Sequence, residues 1–183
     1  MKRLETPRLI LRPFDLNDLP AFYAYARKPN IGPSAGWKPH ESLDESLQIL
    51  KKLMTEDCVW AITRKNDGKL LGSIGLHPDR HRKNPAALSL GYVLDDVYWG
   101  QGLTVEAARR VIRYAFEELG LALVSVTHYP DNVRSKRVIE KCHFEYEATI
   151  RQATVRYDGK VFDDVMYLIT KEQYDKAKHS FDE

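Results

Sequence analysis

The chain has 183 residues, 43% of them hydrophobic and 30% charged, with a formal net charge of +2. That length suits one domain with a full apolar core, and so small and dispersed a charge gives no case for a nucleic-acid or membrane-surface partner. Two cysteines, Cys58 and Cys142, make neither a disulfide framework nor a close metal-ligand pair; with no bilayer-length apolar run and no signal-peptide run at the start, a reducing, cytoplasmic location is expected.

Residues 9–12 read as the first strand, Leu9 and Leu11 alternating with Ile10 and Arg12. Asp15 is placed to cap a helix, and Asp18 favours its amino end. Leu19, Phe22, Tyr23 and Ala26 supply the apolar face, and Pro29 stops it. Residues 30–39 hold Gly32, Pro33, Gly36 and Pro39 and predict a loop. Trp37 in that loop has two readings: packing back on the fold, or walling a substrate pocket. A second helix spans 42–54. Residues 58–63 and 70–76 are strands joined near Asp67-Gly68, an antiparallel hairpin. The polar stretch 77–87 reads as a solvated loop. It contains His77, Asp79 and His81, but nothing in their spacing makes zinc ligands converge, and no metal is expected.

Residues 88–94 are an apolar run of strand length, and residues 104–118 carry helical periodicity through Val105, Ala108, Val111, Ile112 and Ala115. Between them lies Trp99-Gly100-Gln101-Gly102-Leu103-Thr104. Its glycines permit a tight turn and expose backbone N–H groups at a helix start. Such a turn can hold phosphate through those donors and the positive end of the helix. An ordinary strand-to-helix turn is the plain alternative. The spacing is neither a dinucleotide fingerprint nor a P-loop. Leu119-Gly120 ends the helix. Residues 122–128 form a strand, Pro130 to Asn132 break it, and Asn132 can cap a helix over 135–142. Strands over 145–157 and 161–168, joined at Asp158-Gly159, and a helix over 170–177 close the chain; residues 179–183 are expected to fray. In this order the elements predict one domain over 1–183, an α/β fold whose mixed, mostly antiparallel sheet is flanked by helices.

The element order and the turn at Trp99 to Thr104 resemble the GNAT acyltransferases, nearest the branch of ribosomal-protein alanine N-acetyltransferases. Thr6-Pro7-Arg8-Leu9-Ile10-Leu11-Arg12 resembles that branch's opening strand, and Gly91-Tyr92-Val93-Leu94 its pantetheine-binding strand. Glu106-Ala107, Asn132 with Ser135, Val138 to Lys141, Arg151 and the 163–167 segment continue the likeness in order. The resemblance implies a GNAT-like sheet and acetyl-CoA as acyl donor. It implies donor contacts at Tyr92, Val93, Leu94, Trp99, Gly100, Gln101, Gly102, Leu103, Thr104 and Asn132. The chain departs from the pattern at Thr104, where glycine or alanine is usual, at His143, where the branch favours glycine, and at Ser125, where it often carries an acid.

Acyl transfer to an amine needs a base for the amine, donors for a negative oxygen and an acid for the departing thiolate. Ser135 is the candidate near the sulfur, since the branch gives its serine that role. His128 ends a strand beside the expected cleft and is of a type suited to base catalysis. Tyr129, of opposite strand parity, competes with it and, with Trp37, is a candidate acceptor contact. The acceptor implied is a protein or peptide N-terminal amine. The alternatives are a small amine such as a polyamine, amino sugar or amino-acid-like compound, or a nonenzymatic acyl-CoA-binding module. Nothing in the chain sets whether it acts alone or as a homodimer.

Overall fold

A computed structural model describes residues 1–181. In chain order the elements are β1 (Leu4–Glu5), β2 (Leu9–Arg12), α1 (Leu19–Ala26), α2 (Leu43–Thr55), β3 (Val59–Arg64), β4 (Leu70–Pro78), β5 (Ala87–Leu94), α3 (Leu103–Glu117), β6 (Leu123–His128), α4 (Val133–Lys141), β7 (Glu145–Val155), β8 (Val161–Thr170) and α5 (Lys171–Ala177). The strands form one mixed sheet in the order β1-β2-β3-β4-β5-β6-β8-β7. The pairs β1–β2, β2–β3, β3–β4, β6–β8 and β7–β8 are antiparallel. β5 and β6 are parallel, as the helical crossover through α3 requires. The added element is β1, two residues long and too short to show a period.

The chain divides into two compact units. The first comprises Met1–Gly75 and Tyr92–Ala107. Here Asp15 and Asp18 form the expected cap as a reciprocal capping box, and Arg12 pairs with Asp18 at 2.7 Å. Phe14, Phe22 and Tyr25 meet edge to face, with centroids 5.8 and 5.4 Å apart, at the centre of this unit's core. Gly72 fixes the approach of β4 to β5: a Cβ there would lie 2.1 Å from the Val93 carbonyl oxygen. The Asp95 N–H donates to Leu71 O across the same junction, at 2.8 Å.

The second unit comprises Leu76–Gly91 and Ala108–Glu183. The inward face of α3 buries Ala108, Val111, Ile112, Ala115 and Phe116. Phe116 stacks on Tyr174 of α5 at 4.8 Å, and Tyr174 contacts Phe181 at 5.1 Å. Fraying from residue 179 is therefore corrected: Lys178–Phe181 is a helical turn whose Phe181 is buried. Residues 182 and 183 lie outside the described residues. The 77–87 stretch is mostly exposed, as expected, with Asp79 the exception within the connection between β4 and β5. Asp79 is buried and accepts hydrogen bonds from Ser125 Oγ, His81 N and Arg82, each within 2.8 Å. The burial of Asp79 leaves no local trace, because its partner on β6 is far away in sequence. His143 takes the left-handed conformation that its departure from glycine demands, at φ +61°. Among the described residues, no helix is long and apolar enough to cross a membrane.

Candidate active site

The first unit contains the glycine turn. After β5 the chain makes a tight helical turn at Asp96–Tyr98, anchored by Lys28. The Lys28 ammonium pairs with both Asp95 and Asp96, and Asn30 Nδ2 donates to Asp96 at 2.8 Å. Lys28, aided by Asn30, holds the Asp96 carboxyl well below the usual carboxylate range. Trp99 donates its indole N–H to Leu94 O at 2.8 Å and packs on the apolar core. Its side chain thus braces the turn. Gly100 and Gly102 have φ of +78° and +75°, a region costly for any residue with a Cβ. At Gly100 a Cβ would meet nothing within 4 Å, so conformation rather than space selects glycine there.

α3 begins immediately afterwards at Leu103, so its first-turn N–H groups have no helical carbonyl to bond. The acidic side chain of that turn is directed elsewhere. Glu106 accepts from Thr6 Oγ1 at 2.6 Å, Arg8 N at 2.9 Å and Arg8 Nε at 2.6 Å. Burial pushes the Glu106 carboxyl up, but these hydrogen bonds outweigh it and the net shift is downward. Backbone N–H groups at a helix start, a positive helix end and a neutralised neighbouring carboxylate are the chemistry that a diphosphate requires. The β5–β6 ladder runs, among the described residues, from Ala87–Leu123 to Ser89–Ser125, while β5 itself continues through Tyr92 and Val93 to Leu94.

In the same unit Trp37 packs back on the fold. Its N–H donates to Gly32 O at 3.0 Å, its ring lies 5.2 Å from that of His40, and it borders the apolar core. Of the two sequence-based readings, these contacts express the packing one.

The second unit contains the β6–α4 junction. Val124, Val126 and His128 share one buried face of β6, and Ser125 lies on the other. His128 is only 6% exposed. Its Nδ1 lies 2.7 Å from Tyr129 O, and a carbonyl can only accept, so Nδ1 carries the hydrogen. In the neutral ring the lone pair then resides on Nε2, which is buried and has no protein partner among the described residues. Tyr167 flanks the ring, centroids 5.6 Å apart. Tyr129 rests on Phe162 at 4.5 Å, and burial, then the Asp164 carboxylate, raises its hydroxyl pKa. Asn132 caps α4 as its sequence position predicts, its side-chain oxygen accepting from the Ser135 N–H at 3.1 Å. Ser135 sits half-buried in the first turn of α4.

Sequence reasoning missed two charged groupings. One is the Thr6–Arg8–Glu106 set; Arg8 was legible in the opening motif, but not its partner 98 positions away. The other surrounds Asp164, which is 1% exposed and accepts from Thr154 Oγ1 at 2.9 Å, with His81 Nε2 at 3.3 Å. Asp164 therefore does not face solvent, and its neighbour Asp163 accepts from the Gln152 N–H at the bulge of β7. Among the described residues, no cluster of three or more His, Cys, Asp or Glu could hold a metal ion.

A family model described as the acetyltransferase (GNAT) domain matches residues 8–145. The uncharacterized N-acetyltransferase YoaA of Bacillus subtilis is 28% identical over 175 residues, covering 92% of this chain and 96% of that one. The solved ribosomal-protein-S5-alanine acetyltransferase of Vibrio fischeri superposes with a TM-score of 0.75 at 20% identity, over 95% of this chain and 99% of that one. A spermidine N-acetyltransferase of Vibrio cholerae, solved with CoA and spermine, does so with a TM-score of 0.76 at 19% identity, over 92% and 99%. Likeness at these identities is likeness of fold, and the two named acceptors differ, so the fold does not choose between them. With the family model spanning most of its length, the chain belongs to the GNAT acetyltransferases and is an acetyl-CoA-dependent N-acetyltransferase.

Proposed function

We propose that this chain acetylates the N-terminal amine of a protein or peptide by direct attack on the donor thioester. The observation that carries the chemistry is the His128 lone pair, fixed on Nε2 by the Nδ1 contact to Tyr129 O and left without a protein partner among the described residues. Acetyl-CoA supplies a thioester carbonyl open to attack and a thiolate leaving group. Backbone donors of Gly100 to Thr104 bind the diphosphate, with Trp99 bracing their turn. Backbone groups of Tyr92, Val93 and Leu94 orient the pantetheine arm, and Asn132, which caps α4, is a further donor contact implied by the branch resemblance. His128 Nε2 accepts the proton of the attacking amine, and the Ser135 hydroxyl donates to the departing sulfur. Tyr129 is the acceptor-side contact; Trp37 stays in the proposal only through the edge of its packed ring.

The choice of an N-terminal amine rests on the branch resemblance and on supply of the reactive form. A terminal amine titrates near 7.7–8.0 and a lysine near 10.4, so roughly 200- to 400-fold more of the former is neutral at pH 7. Neither Cys58 nor Cys142 is in a disulfide, which agrees with the reducing, cytoplasmic location proposed here. The proposal includes no nucleic-acid or membrane partner.

A mass-shift screen with acetyl-CoA tests the acceptor. Peptides with free N-termini should gain an acetyl group at the terminal amine faster than N-blocked lysine peptides, polyamines or amino sugars. Turnover confined to a small metabolite amine would replace the acceptor, and CoA binding without turnover on any amine would replace catalysis with sensing.

A further inference from the structure

We propose that Arg8 and Glu106 are positioning residues for the acyl donor: they set the orientation of the glycine turn's N–H groups without touching the ligand. The inference rests on the diphosphate being held at Gly100 to Thr104.

Arg8 lies just before β2, in the Thr-Pro-Arg opening of the chain, yet its guanidinium joins two parts of the turn. Nε donates to Glu106 Oε2 at 2.6 Å, and Nη1 donates to the Gln101 carbonyl oxygen at 3.0 Å. A trans peptide is planar, with its C=O and N–H pointing in opposite directions. Pinning Gln101 O to Arg8 therefore points the Gly102 N–H away from the guanidinium. The next carbonyl is committed too, since Gly102 O accepts from Glu106 N at 3.1 Å. With both acceptors occupied, the turn presents donors.

Glu106 has a second effect. A carboxylate in the first turn of a helix stabilises that helix but repels a bound diphosphate. Three donors from Thr6 and Arg8 hold it, and its side chain is 15% exposed. The carboxylate thus keeps its stabilising position in α3 while the guanidinium cancels its charge. Arg8 itself remains 51% exposed, so the pairing is not a burial requirement of the core. A role confined to stability would not need the link to Gln101 O.

The test uses two ligand lengths. Titration calorimetry compares CoA with pantetheine, and kinetics compares acetyl-CoA with acetyl-pantetheine, which lacks the diphosphate. Arg8→Ala should weaken CoA binding about 10- to 100-fold, the scale of lost charge-assisted hydrogen bonds. KM for acetyl-CoA should rise in parallel, while kcat at saturation and KM for acetyl-pantetheine stay near wild type. Arg8→Lys should recover part of the affinity, because a lysine keeps the charge but not the fork. Arg8→Gln, a smaller truncation that removes the charge and the fork, gives the same ligand-length discrimination should Arg8→Ala fail to fold. Equal losses for both donors, or unchanged CoA affinity in a folded variant, would overturn the positioning role. If wild type itself binds CoA no tighter than pantetheine, the underlying diphosphate site is what fails.

Discussion

His128 and Ser135 divide the proton movements of the proposed reaction, and the structure makes them separable. The Asn132 cap is received by the backbone N–H of Ser135, which alanine also has. Ser135→Ala therefore leaves the cap in place and should leave the melting temperature near wild type. Asn132→Ala, by contrast, should cost about 0.5–2 kcal/mol of stability. Single-turnover measurement on CoA-saturating, folded Ser135→Ala and His128→Gln should each show about a 10²–10⁴-fold slower chemical step, with CoA affinity retained. Near-normal chemistry in either variant would make that residue structural. Asn132 as a cap was legible because capping is a local rule. The tautomer of His128 was not, since it depends on a carbonyl placed by the end of β6. Nor was Asp79 against Ser125: their contact spans 46 positions and leaves no periodic trace.

Helices and hairpins follow their local signals closely. α2 begins at Ser42 as a cap, β3 and β4 pair antiparallel, and α3 opens one residue before the predicted start. These spans were legible because each buries one periodic face. Where tertiary contacts decide, local signals fell short, as at the 178–181 turn held by Phe181 against Tyr174. Gly72 shows the same limit, for its composition reads as an ordinary strand glycine. Its hydrogen occupies the only room between β4 and the Val93 carbonyl. Gly72→Ala should therefore destabilise the fold by about 1–3 kcal/mol through overpacking. It should also weaken donor binding, because Val93 belongs to the strand proposed to orient the pantetheine. Thermal melts with parallel CoA titration check this; a variant as stable as wild type would show that β5 shifts freely.

At the scale of the whole chain, family membership fixes the donor and the class of reaction, and the identity of the amine depends on finer features. Solved relatives of this fold carry names for both a protein alanine and a polyamine. The sequence carried the fold because many weak signals occur in one order, and it carried the turn proposed to hold the donor because two glycines precede a helix. It did not carry the arrangement that supports this site, which draws on Arg8, Lys28 and Asn30 from distant parts of the first unit. The central claim is that the turn from Gly100 to Thr104 holds the diphosphate of acetyl-CoA. Calorimetric titration of CoA into wild type and Gly102→Trp, both shown folded by circular dichroism, tests it most directly. The account predicts saturable binding to wild type and a loss of about 100-fold or more in the variant, where a bulky side chain at φ +75° deforms the turn. Equal affinity in the two proteins would place the ligand elsewhere and contradict the account.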